Sequence, residues 1–289
     1  MLAFQKLADY NVYKCGRSSV VERLVANEKV EGSTPFVRSI KFKNIVLKKT
    51  KNSFIKSKYL SNKHLNYFDV YDDLFKDYID KEIIFVEVGV LNGGSLFMWR
   101  DYFGSKARII GIDLNPAAKK FENDGFEIFI GDQEKPEFWN DFFNQVGMID
   151  ILLDDGGHTN NQQIITTLNS INNIKDEGLL IIEDTHASYM KEFGNPSDTS
   201  FINFAKKNVD YINYRFPKIG EVKEIFYRNV FSIFFYESIV CYKINRMFCK
   251  KNIPVKNQGK NLNHKDFRYG DPDKEDSLNE LKKALEINE

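Results

Sequence analysis

Residues 83–95 read IIFVEVGVLNGGS, a short and nearly continuous apolar run that leads into a turn containing three glycines. A run of this kind is typical of a strand that is buried on both faces of a parallel sheet. The glycines allow a tight turn in which the backbone passes close to a neighbouring group. Residues 94–103 then have the length of a helix. The stretch therefore predicts a strand, a tight turn and a helix, the repeating unit of a parallel α/β fold.

The same alternation continues along the chain. Further apolar runs lie at residues 108–112, 126–130, 148–153 and 178–182. Further segments of helix length lie at residues 116–123, 134–145, 159–174 and 197–214. Such alternation predicts a parallel sheet with right-handed crossovers. Residues 223–244 have the pattern of two strands joined around Phe235–Glu237. We therefore predict a doubly wound α/β fold, with a mostly parallel seven-stranded sheet that ends in an antiparallel hairpin.

The regular pattern occupies residues 58–250, which we predict to be the main domain. It opens with apolar side chains at helical spacing from Phe68 to Tyr78 and is followed by a polar tail at residues 251–289. Residues 1–57 show no sustained period, and their stretch from Gly16 to Pro35 resembles the translation of a transfer-RNA gene. We interpret residues 1–57 as an N-terminal extension and residues 1–40 as a start-site artefact. A genuine helical arm is the alternative.

Composition limits the classes of function. The 289 residues are 42 % apolar and 14 % aromatic, which argues against disorder. The 41 basic and 41 acidic side chains cancel, which disfavours binding to nucleic acid. Cys15, Cys241 and Cys249 are scattered and predict no disulfide framework. No apolar stretch is long enough to span a bilayer and no signal peptide is visible, so we expect a cytoplasmic protein.

The glycine turn is the first candidate ligand site. In an open α/β sheet, ligands bind where a strand ends and its helix begins. The spacing G-x-x-x-G-G from Gly89 departs from the G-x-G-x-x-G pattern of dinucleotide-binding proteins. Glu87, just before the turn, suits a ligand with an ammonium or sulfonium charge better than one with phosphates. A purely structural turn is the alternative.

Polar residues also follow the second and third strands. Asp113 lies 24 residues after Gly89, where a carboxylate can accept hydrogen bonds from both hydroxyls of a ribose. Asp132 and Gln133 close the third strand and are candidates to bind an adenine edge. Each aspartate is alternatively a helix cap. These strand ends predict a nucleoside pocket, and both a nicotinamide dinucleotide and S-adenosylmethionine remain open as its ligand.

Acidic side chains gather at the ends of the next two strands, as Asp154 and Asp155 and then as Glu183 and Asp184. Carboxylates held together repel one another unless a cation lies between them or some are protonated. Oxygen ligands favour a hard cation, Mg²⁺ first, with Mn²⁺ or Ca²⁺ as alternatives. Asp155, Glu183 and Asp184 can fill part of an octahedron. Alternatively, the two aspartates cap a helix and Glu183 pairs with a basic neighbour.

His158 follows the first acidic pair after a Gly-Gly turn that could bring its ring back towards the metal. Transfer to a hydroxyl requires removal of its proton, and a histidine with a pKa near neutrality can accept that proton. We therefore predict that His158 is a general base. One alternative is that His186 is the base, and the other is that His158 only caps a helix or packs in the structure.

The segments EVGVLNGGS, GIDLNP, GDQ, LLDDGGH and LIIEDTH, in this order, resemble class I methyltransferases of the metal-dependent sugar O-methyltransferase type. The resemblance covers residues 58–245, and macrolide deoxysugar O-methyltransferases and the related cephalosporin hydroxylase-like proteins carry it most clearly. It implies Mg²⁺ on Asp155, Glu183 and Asp184, His158 as base, and S-adenosylmethionine as donor. The predicted donor contacts are Glu87, Gly89, Asn92, Gly93, Gly94, Ser95, Asp113, Leu114, Asp132, Gln133 and Asp154. The macrolide enzymes carry an additional N-terminal oligomerisation domain, which residues 1–57 do not resemble.

These observations predict an S-adenosylmethionine-dependent O-methyltransferase that acts, with Mg²⁺, on an acceptor with neighbouring hydroxyls such as a sugar or glycan. A homo-oligomer is left open. Two other classes also remain: an NAD-dependent oxidoreductase on the same kind of sheet, and a noncatalytic module that binds S-adenosylmethionine or a metal.

Overall fold

The structure, a computed structural model, describes residues 49–193, 196–216, 225–260, 262, 279–281 and 283–285. The helices are α1 (Thr50–Ile55), α2 (Tyr67–Phe75), α3 (Gly94–Phe103), α4 (Pro136–Val146), α5 (Asn160–Ser170), α6 (Phe201–Asn213) and α7 (Ile225–Asn229). The strands are β1 (Ile84–Val88), β2 (Arg108–Asp113), β3 (Glu127–Ile130), β4 (Ile149–Asp154), β5 (Ile174–Ile182), β6 (Val230–Tyr236) and β7 (Ile239–Ile244). Short 3₁₀ helices lie at Lys76–Tyr78, Pro116–Asp124, Ile171–Asn173, Thr185–Tyr189 and Lys191–Phe193.

The strands form one seven-stranded sheet in the order β3-β2-β1-β4-β5-β7-β6. Strands β1 to β5 are parallel, and β7 runs antiparallel to both β5 and β6. Val88 is level with Ile112 on one side and with Asp154 on the other, and Asp154 is level with Ile182. The carboxyl ends of β1, β2, β4 and β5 therefore meet at one edge, with the reversal of strand order between β1 and β4 at its centre. The predicted fold class is confirmed.

Each face of the sheet carries its own apolar layer, because successive residues of a strand point to opposite faces. Phe85 of β1 packs against Trp99 of α3, with ring centroids 5.0 Å apart. Val86, the next residue, belongs to the other layer, in which Trp139 and Phe142 of α4 are buried. Because every central strand is covered on both faces, the helices and strands hold the carboxyl edge of the sheet in a fixed position.

Several predicted boundaries differ from the structure. The crossover at residues 116–123 is a 3₁₀ helix, Pro116–Asp124, and β5 begins at Ile174. The strand predicted from residue 223 is wrong in its first part, because Ile225–Asn229 forms helix α7. There Asn229 donates to the carbonyl of Ile225, and the guanidinium of Arg215 donates to the carbonyls of Phe226 and Tyr227. These side chains satisfy the backbone of a single helical turn that an apolar pattern alone does not separate from a strand.

The ends of the chain are described in part. Residues 1–48, which include most of the predicted extension, lie outside the described residues. Helix α1 already contacts the domain: Thr50 Oγ1 donates to the carbonyl of Phe68, and Ser53 Oγ donates to Asp101, at 2.6 Å. Residues 251–260 of the predicted tail are exposed. The limits at residues 57 and 250 stay predictions. None of the described helices has both the length and the apolar character that a membrane span requires.

Candidate active site

The loops at the carboxyl edge contain several residues in the left-handed backbone region. Leu91, His158 and Asp184 have φ of 46°, 59° and 53°, and Gly89 has φ of 92°. A non-glycine residue in this region carries a conformational cost and persists only where its surroundings fix it. These residues follow β1, β4 and β5, beside the point where the strand order reverses. Ligand sites of open α/β sheets lie at such a point.

The absence of a side chain at Gly89 sets how closely the loop after β1 approaches the loop after β4. A Cβ atom built on Gly89 would lie 2.0 Å from the carbonyl oxygen of Asp155. The Gly89 amide donates to the carbonyl of Ile112 at 2.8 Å, and the Asp155 amide donates to the carbonyl of Val88 at 3.0 Å. The glycine turn and the acidic loop are therefore in direct backbone contact, and a side chain at residue 89 would separate them.

Glu87 is fully buried at the end of β1, beneath the glycine turn. Its carboxylate accepts hydrogen bonds from Ser95 Oγ at 2.6 Å and from Trp99 Nε1 at 2.9 Å. Burial raises the pKa of Glu87 to about 7, against the opposing attraction of Lys63. Glu87 and Ser95, both predicted as donor contacts, thus bond to each other. They form the floor of the turn that also contains Asn92, Gly93 and Gly94.

A lysine lies among the carboxylates of the site. Lys63 Nζ donates to Asp155 at 2.6 Å and to Glu183 at 2.9 Å, and it lies 3.9 Å from Glu87. Its side chain is 2 % exposed. Burial alone lowers the pKa of Lys63, but the charges of Asp155 and Glu183 outweigh this and hold its pKa well above the usual value. Glu183 therefore does pair with a basic residue, as the alternative interpretation of the sequence states.

Both carboxylate oxygens of Glu183 accept a hydrogen bond. Oε2 accepts from Lys63, and Oε1 accepts from the hydroxyl of Tyr71. Burial raises the pKa of Glu183 above the ordinary carboxyl range, while the attraction of Lys63 opposes the rise. Of the three predicted metal ligands, Glu183 is thus the one whose carboxylate is fully buried and bonded at both oxygens.

Asp184 lies on the open side of the same centre. Its carboxylate accepts from the hydroxyl of Tyr67, and His158 Nε2 lies 3.3 Å from its second oxygen. One ligand atom each from Asp155, His158 and Asp184 lies within 4.8 Å of the others. His186 Nδ1 bonds to Ser238 Oγ and is 3.9 Å from Asp184. The structure therefore places the predicted base His158 beside Asp155 and Asp184, whereas His186 lies beside Asp184 and bonds to Ser238.

The charge balance of this centre fits a divalent cation. Glu87, Asp155, Glu183 and Asp184 supply four carboxyl groups, and Lys63 Nζ lies within 4 Å of three of them, Glu87, Asp155 and Glu183. Oxygen ligands in excess over compensating charge are the donor set that Mg²⁺ prefers. The residues present thus fit the predicted metal, and Asp155 and Asp184 offer the more accessible oxygens, with side chains 21 % and 20 % exposed.

The predicted ribose contact lies at the other side of the glycine turn. Asp113 Oδ2 accepts from the amides of Val90 and Leu91, both at 2.9 Å, and Oδ1 accepts from the amide of Asn115 at 2.8 Å. Leu114 beside it is 70 % exposed. Since a carboxylate has about four acceptor positions, Asp113 shapes the turn and keeps capacity for further donors. Its role as a ribose contact stays a prediction.

Gln133 and Asp154 form a buried pair behind the acidic loop. Gln133 Nε2 donates to both oxygens of Asp154, at 2.9 and 3.0 Å, and Gln133 Oε1 accepts from the amide of Gly157 at 3.0 Å. Burial raises the pKa of Asp154, against these hydrogen bonds. Asp132 accepts from the amide of Glu134 at 2.9 Å in a local turn and does not cap α4, whose N-cap is Lys135. Gln133 and Asp154 therefore position the loop that carries His158. Their role as contacts of the methyl donor stays a prediction.

Replacing Gln133 by Leu is expected to lower the free energy of unfolding by about 3 kcal/mol, because it removes two hydrogen bonds from the buried Asp154 carboxylate, which keeps that of the Gly156 amide, and leaves the Gly157 amide without its partner. Chemical denaturation of the purified protein measures this change. Gln145→Leu is the matched control, since Gln145 is exposed and bonds to the backbone of its own helix; its effect should stay within about 0.5 kcal/mol. Equal losses for the two variants would contradict the role given to Gln133.

Lys63, Tyr67 and Tyr71 are site residues that the sequence analysis missed. They lie before and within α2, far along the chain from the strand ends that they contact. Tyr67 and Tyr71 are four residues apart and so share one side of α2, whereas Lys63 lies in the non-helical segment before it, where no period marks it. An apolar pattern assigns Tyr71 to the core and gives Lys63 no role.

Comparison with known proteins identifies the class of fold. The MycE methyltransferase of the mycinamycin biosynthetic pathway, solved in complex with Mg, SAH and mycinamycin VI, superposes with a TM-score of 0.60 at 23 % identity, over 68 % of this chain and 53 % of that chain. The fold is that of the class I methyltransferases, as predicted. No model of a known protein family matches the chain.

Within that class, the chain is similar in sequence to sugar O-methyltransferases of antibiotic pathways. It is 31 % identical to the demethylmacrocin O-methyltransferase of Streptomyces fradiae over 153 residues, 49 % of this chain and 38 % of that protein. It is 31 % identical to the mycinamicin VI 2''-O-methyltransferase of Micromonospora griseorubida over 137 residues, 44 % of this chain and 33 % of that protein. The resemblance seen in the motifs is thus confirmed. The chain spans less than half the length of these curated relatives.

Proposed function

We propose that this chain is an S-adenosylmethionine-dependent O-methyltransferase that acts, with Mg²⁺, on a hydroxyl of a sugar or glycan-like acceptor. The observation that carries the proposal is the meeting of Asp155, Glu183, Asp184 and His158 beside the Glu87–Ser95 turn at one edge of the sheet. The relatives named as sugar O-methyltransferases support the same reaction and the same class of acceptor.

In this proposal the donor lies along the glycine turn. Buried Glu87 lies at the end that would receive the ammonium and sulfonium charges, and Asp113 lies at the end that would receive the ribose. Exposed Leu114 offers an apolar surface for the adenine. The protein's task is to hold the sulfonium methyl in line with the acceptor oxygen, because positioning alone supplies a large part of the acceleration of a displacement.

Asp155, Glu183 and Asp184 would hold Mg²⁺, and the bound ion would supply Lewis-acid stabilisation of an acceptor alkoxide. The acceptor would need two neighbouring oxygens to share that site, as a sugar diol provides. The chain's own residues exclude water on the inner side, where Glu87, Lys63 and Glu183 are buried. Asp155 and Asp184 face the accessible side, from which an acceptor would enter.

His158 is the group that would accept the acceptor's proton. Its ring is 27 % exposed, and its Nε2 lies 3.3 Å from Asp184, which would stabilise the imidazolium formed by proton transfer. His158 has a left-handed backbone conformation, and the hydrogen bond from the Gly157 amide to Gln133 holds its loop. This conformation orients the ring of His158 towards Asp184.

Replacing His158 by Ala is expected to lower kcat by about 100-fold, the lower end of the effect of a general base. Donor affinity should change little, because His158 lies on the metal side of the centre. Initial-rate kinetics and calorimetric titration of S-adenosylhomocysteine measure the two quantities separately. His186→Ala is the matched control and should keep most of the activity. A collapse of donor affinity in His158→Ala would assign His158 to structure instead.

The activity itself is tested with radiolabelled S-adenosylmethionine and a panel of simple acceptors, including methyl glycosides with neighbouring hydroxyls and matched deoxy glycosides without them. We expect label transfer to the diols, stimulation by Mg²⁺ and loss of transfer with EDTA. Binding of NADH together with no transfer to any acceptor would replace this proposal with the oxidoreductase alternative.

The cellular setting belongs to the same proposal. Cys241 is buried and Cys249 is half-buried, and both are free thiols. Free thiols are usual in a reducing compartment, which supports a cytoplasmic location. The cancelled net charge argues against nucleic acid as a partner. A homo-oligomer remains part of the proposal, and light scattering of the purified protein tests it.

A further inference from the structure

The segment of residues 57–66, which we call the cover segment, joins the two halves of the site. At its start, Ser57 Oγ donates to the carbonyl of Gly94 at 2.6 Å, beside the glycine turn. The carbonyl of Tyr59 packs so closely on Gly94 that a Cβ atom there would lie 2.4 Å from it. Towards its end, Lys63 reaches the acidic centre. The cover segment is therefore attached once at the donor side and once at the metal side.

The two attachments differ in character. The first consists of hydrogen bonds and van der Waals contact, whereas the second is a buried ammonium on two carboxylates, 2.6 Å from Asp155 and 2.9 Å from Glu183. A buried ion pair repays its desolvation only where its geometry is good and its charge is matched. Here one ammonium faces two carboxylates and a third, Glu87, at 3.9 Å. Lys63 therefore balances only part of the negative charge that surrounds it.

A divalent ion and Lys63 would compete for the same oxygen atoms. Glu183 is fully buried, with Oε1 bonded to Tyr71 and Oε2 bonded to Lys63. Lys63 also binds Oδ2 of Asp155. A cation of double charge would satisfy this centre better than one ammonium, because Coulomb attraction scales with charge.

We propose that Lys63 is the chain's own cation for Asp155 and Glu183, and that a divalent ion binds there by exchange with it. The exchange releases the end of the cover segment at Lys63 while Ser57 and Tyr59 stay on Gly94. Lys63 is then a positioning residue, which keeps the carboxylates together before the metal arrives. The inference rests on the proposed function, since it uses the metal site of that proposal.

Calorimetric titration of Mg²⁺ alone into the full chain tests the exchange. Lys63→Met removes the competing ammonium at similar volume, and we expect it to bind Mg²⁺ about tenfold more tightly than the unsubstituted protein. Lys58→Met is the matched control, because Lys58 lies in the same segment but pairs with Asp124 at the surface; its affinity for Mg²⁺ should not change. Equal or weaker binding of Mg²⁺ by Lys63→Met would overturn the exchange.

A second measurement uses the unsubstituted protein and so does not depend on the folding of a variant. Acetylation of lysines, read residue by residue by mass spectrometry, should leave Lys63 protected without Mg²⁺ and label it about tenfold faster with Mg²⁺. Lys58, which is 53 % exposed, should label equally in both conditions. Mg²⁺ binding without faster labelling of Lys63 overturns the exchange and leaves the proposed function standing. Absence of Mg²⁺ binding in every protein overturns the exchange and the proposed metal site together.

Discussion

Replacing Asp155 by Asn is expected to lower Mg²⁺-stimulated methyl transfer by about 10³-fold. Metal stabilisation of a developing alkoxide contributes several kcal/mol, and each 1.36 kcal/mol is about a factor of ten in rate. Asp155 provides one of the two more accessible carboxylates of the centre and also holds Lys63 at 2.6 Å. The amide keeps the size of the side chain and removes its charge, so both contacts to cations weaken. Rates measured across a series of Mg²⁺ concentrations check the expected loss.

Asp176→Asn is the matched control for that experiment. Asp176 forms an ion pair with Arg246 at 2.9 Å, at the far end of β5, and touches none of the site residues named above. Its substitution should leave the rate within about twofold, since surface ion pairs contribute little. Unchanged activity of Asp155→Asn at every Mg²⁺ concentration would remove Asp155 from the proposed metal site, and activity that is also independent of Mg²⁺ would reject the metal-assisted mechanism.

Replacing Gly89 by Ala is expected to lower the free energy of unfolding by about 4 kcal/mol and to abolish donor binding. Two costs add at this residue. A non-glycine residue at φ of 92° costs about 1–2 kcal/mol, and overpacking costs a further 1–3 kcal/mol or so. The new Cβ atom would lie 2.0 Å from a backbone carbonyl of Asp155, which cannot rotate away as a side chain can. The glycine turn and the acidic loop must then separate.

Gly125→Ala separates the two costs. Gly125 has φ of 83°, but among the described residues no atom beyond its chain neighbours lies within 4 Å of the position of its Cβ. It should therefore lose only the conformational part, about 1–2 kcal/mol, and keep its affinity for S-adenosylhomocysteine. Denaturant unfolding measured on both variants gives the difference. Similar losses for Gly89→Ala and Gly125→Ala would show that the close approach of the two loops does not matter.

The fold could be predicted from the sequence because its strands are buried on both faces. Apolar runs such as 83–88 and 148–153 have few alternatives in a chain that alternates them with helices. The turn at Gly89 and the acidic pairs after β4 and β5 were found for the same reason: in a parallel sheet, every strand ends at the same edge. Boundaries were less certain, as helix α7 shows.

The contacts across long stretches of sequence could not be predicted. Lys63 lies 92 residues from Asp155 and 120 residues from Glu183 in the chain, and no local period links them. Gln133 was predicted at the pocket, but its partner Asp154 is 21 residues away on another strand. A strand-end pattern places such residues at one edge and does not determine which of them bond to each other and which remain open to a ligand.

The most direct test of a methyl-donor site beside a metal centre is calorimetric titration of S-adenosylhomocysteine into the full chain, with and without Mg²⁺. We predict micromolar binding that is present in both conditions and is lost in Gly89→Ala. No binding of S-adenosylhomocysteine in either condition, together with binding of NADH, would contradict the proposed function.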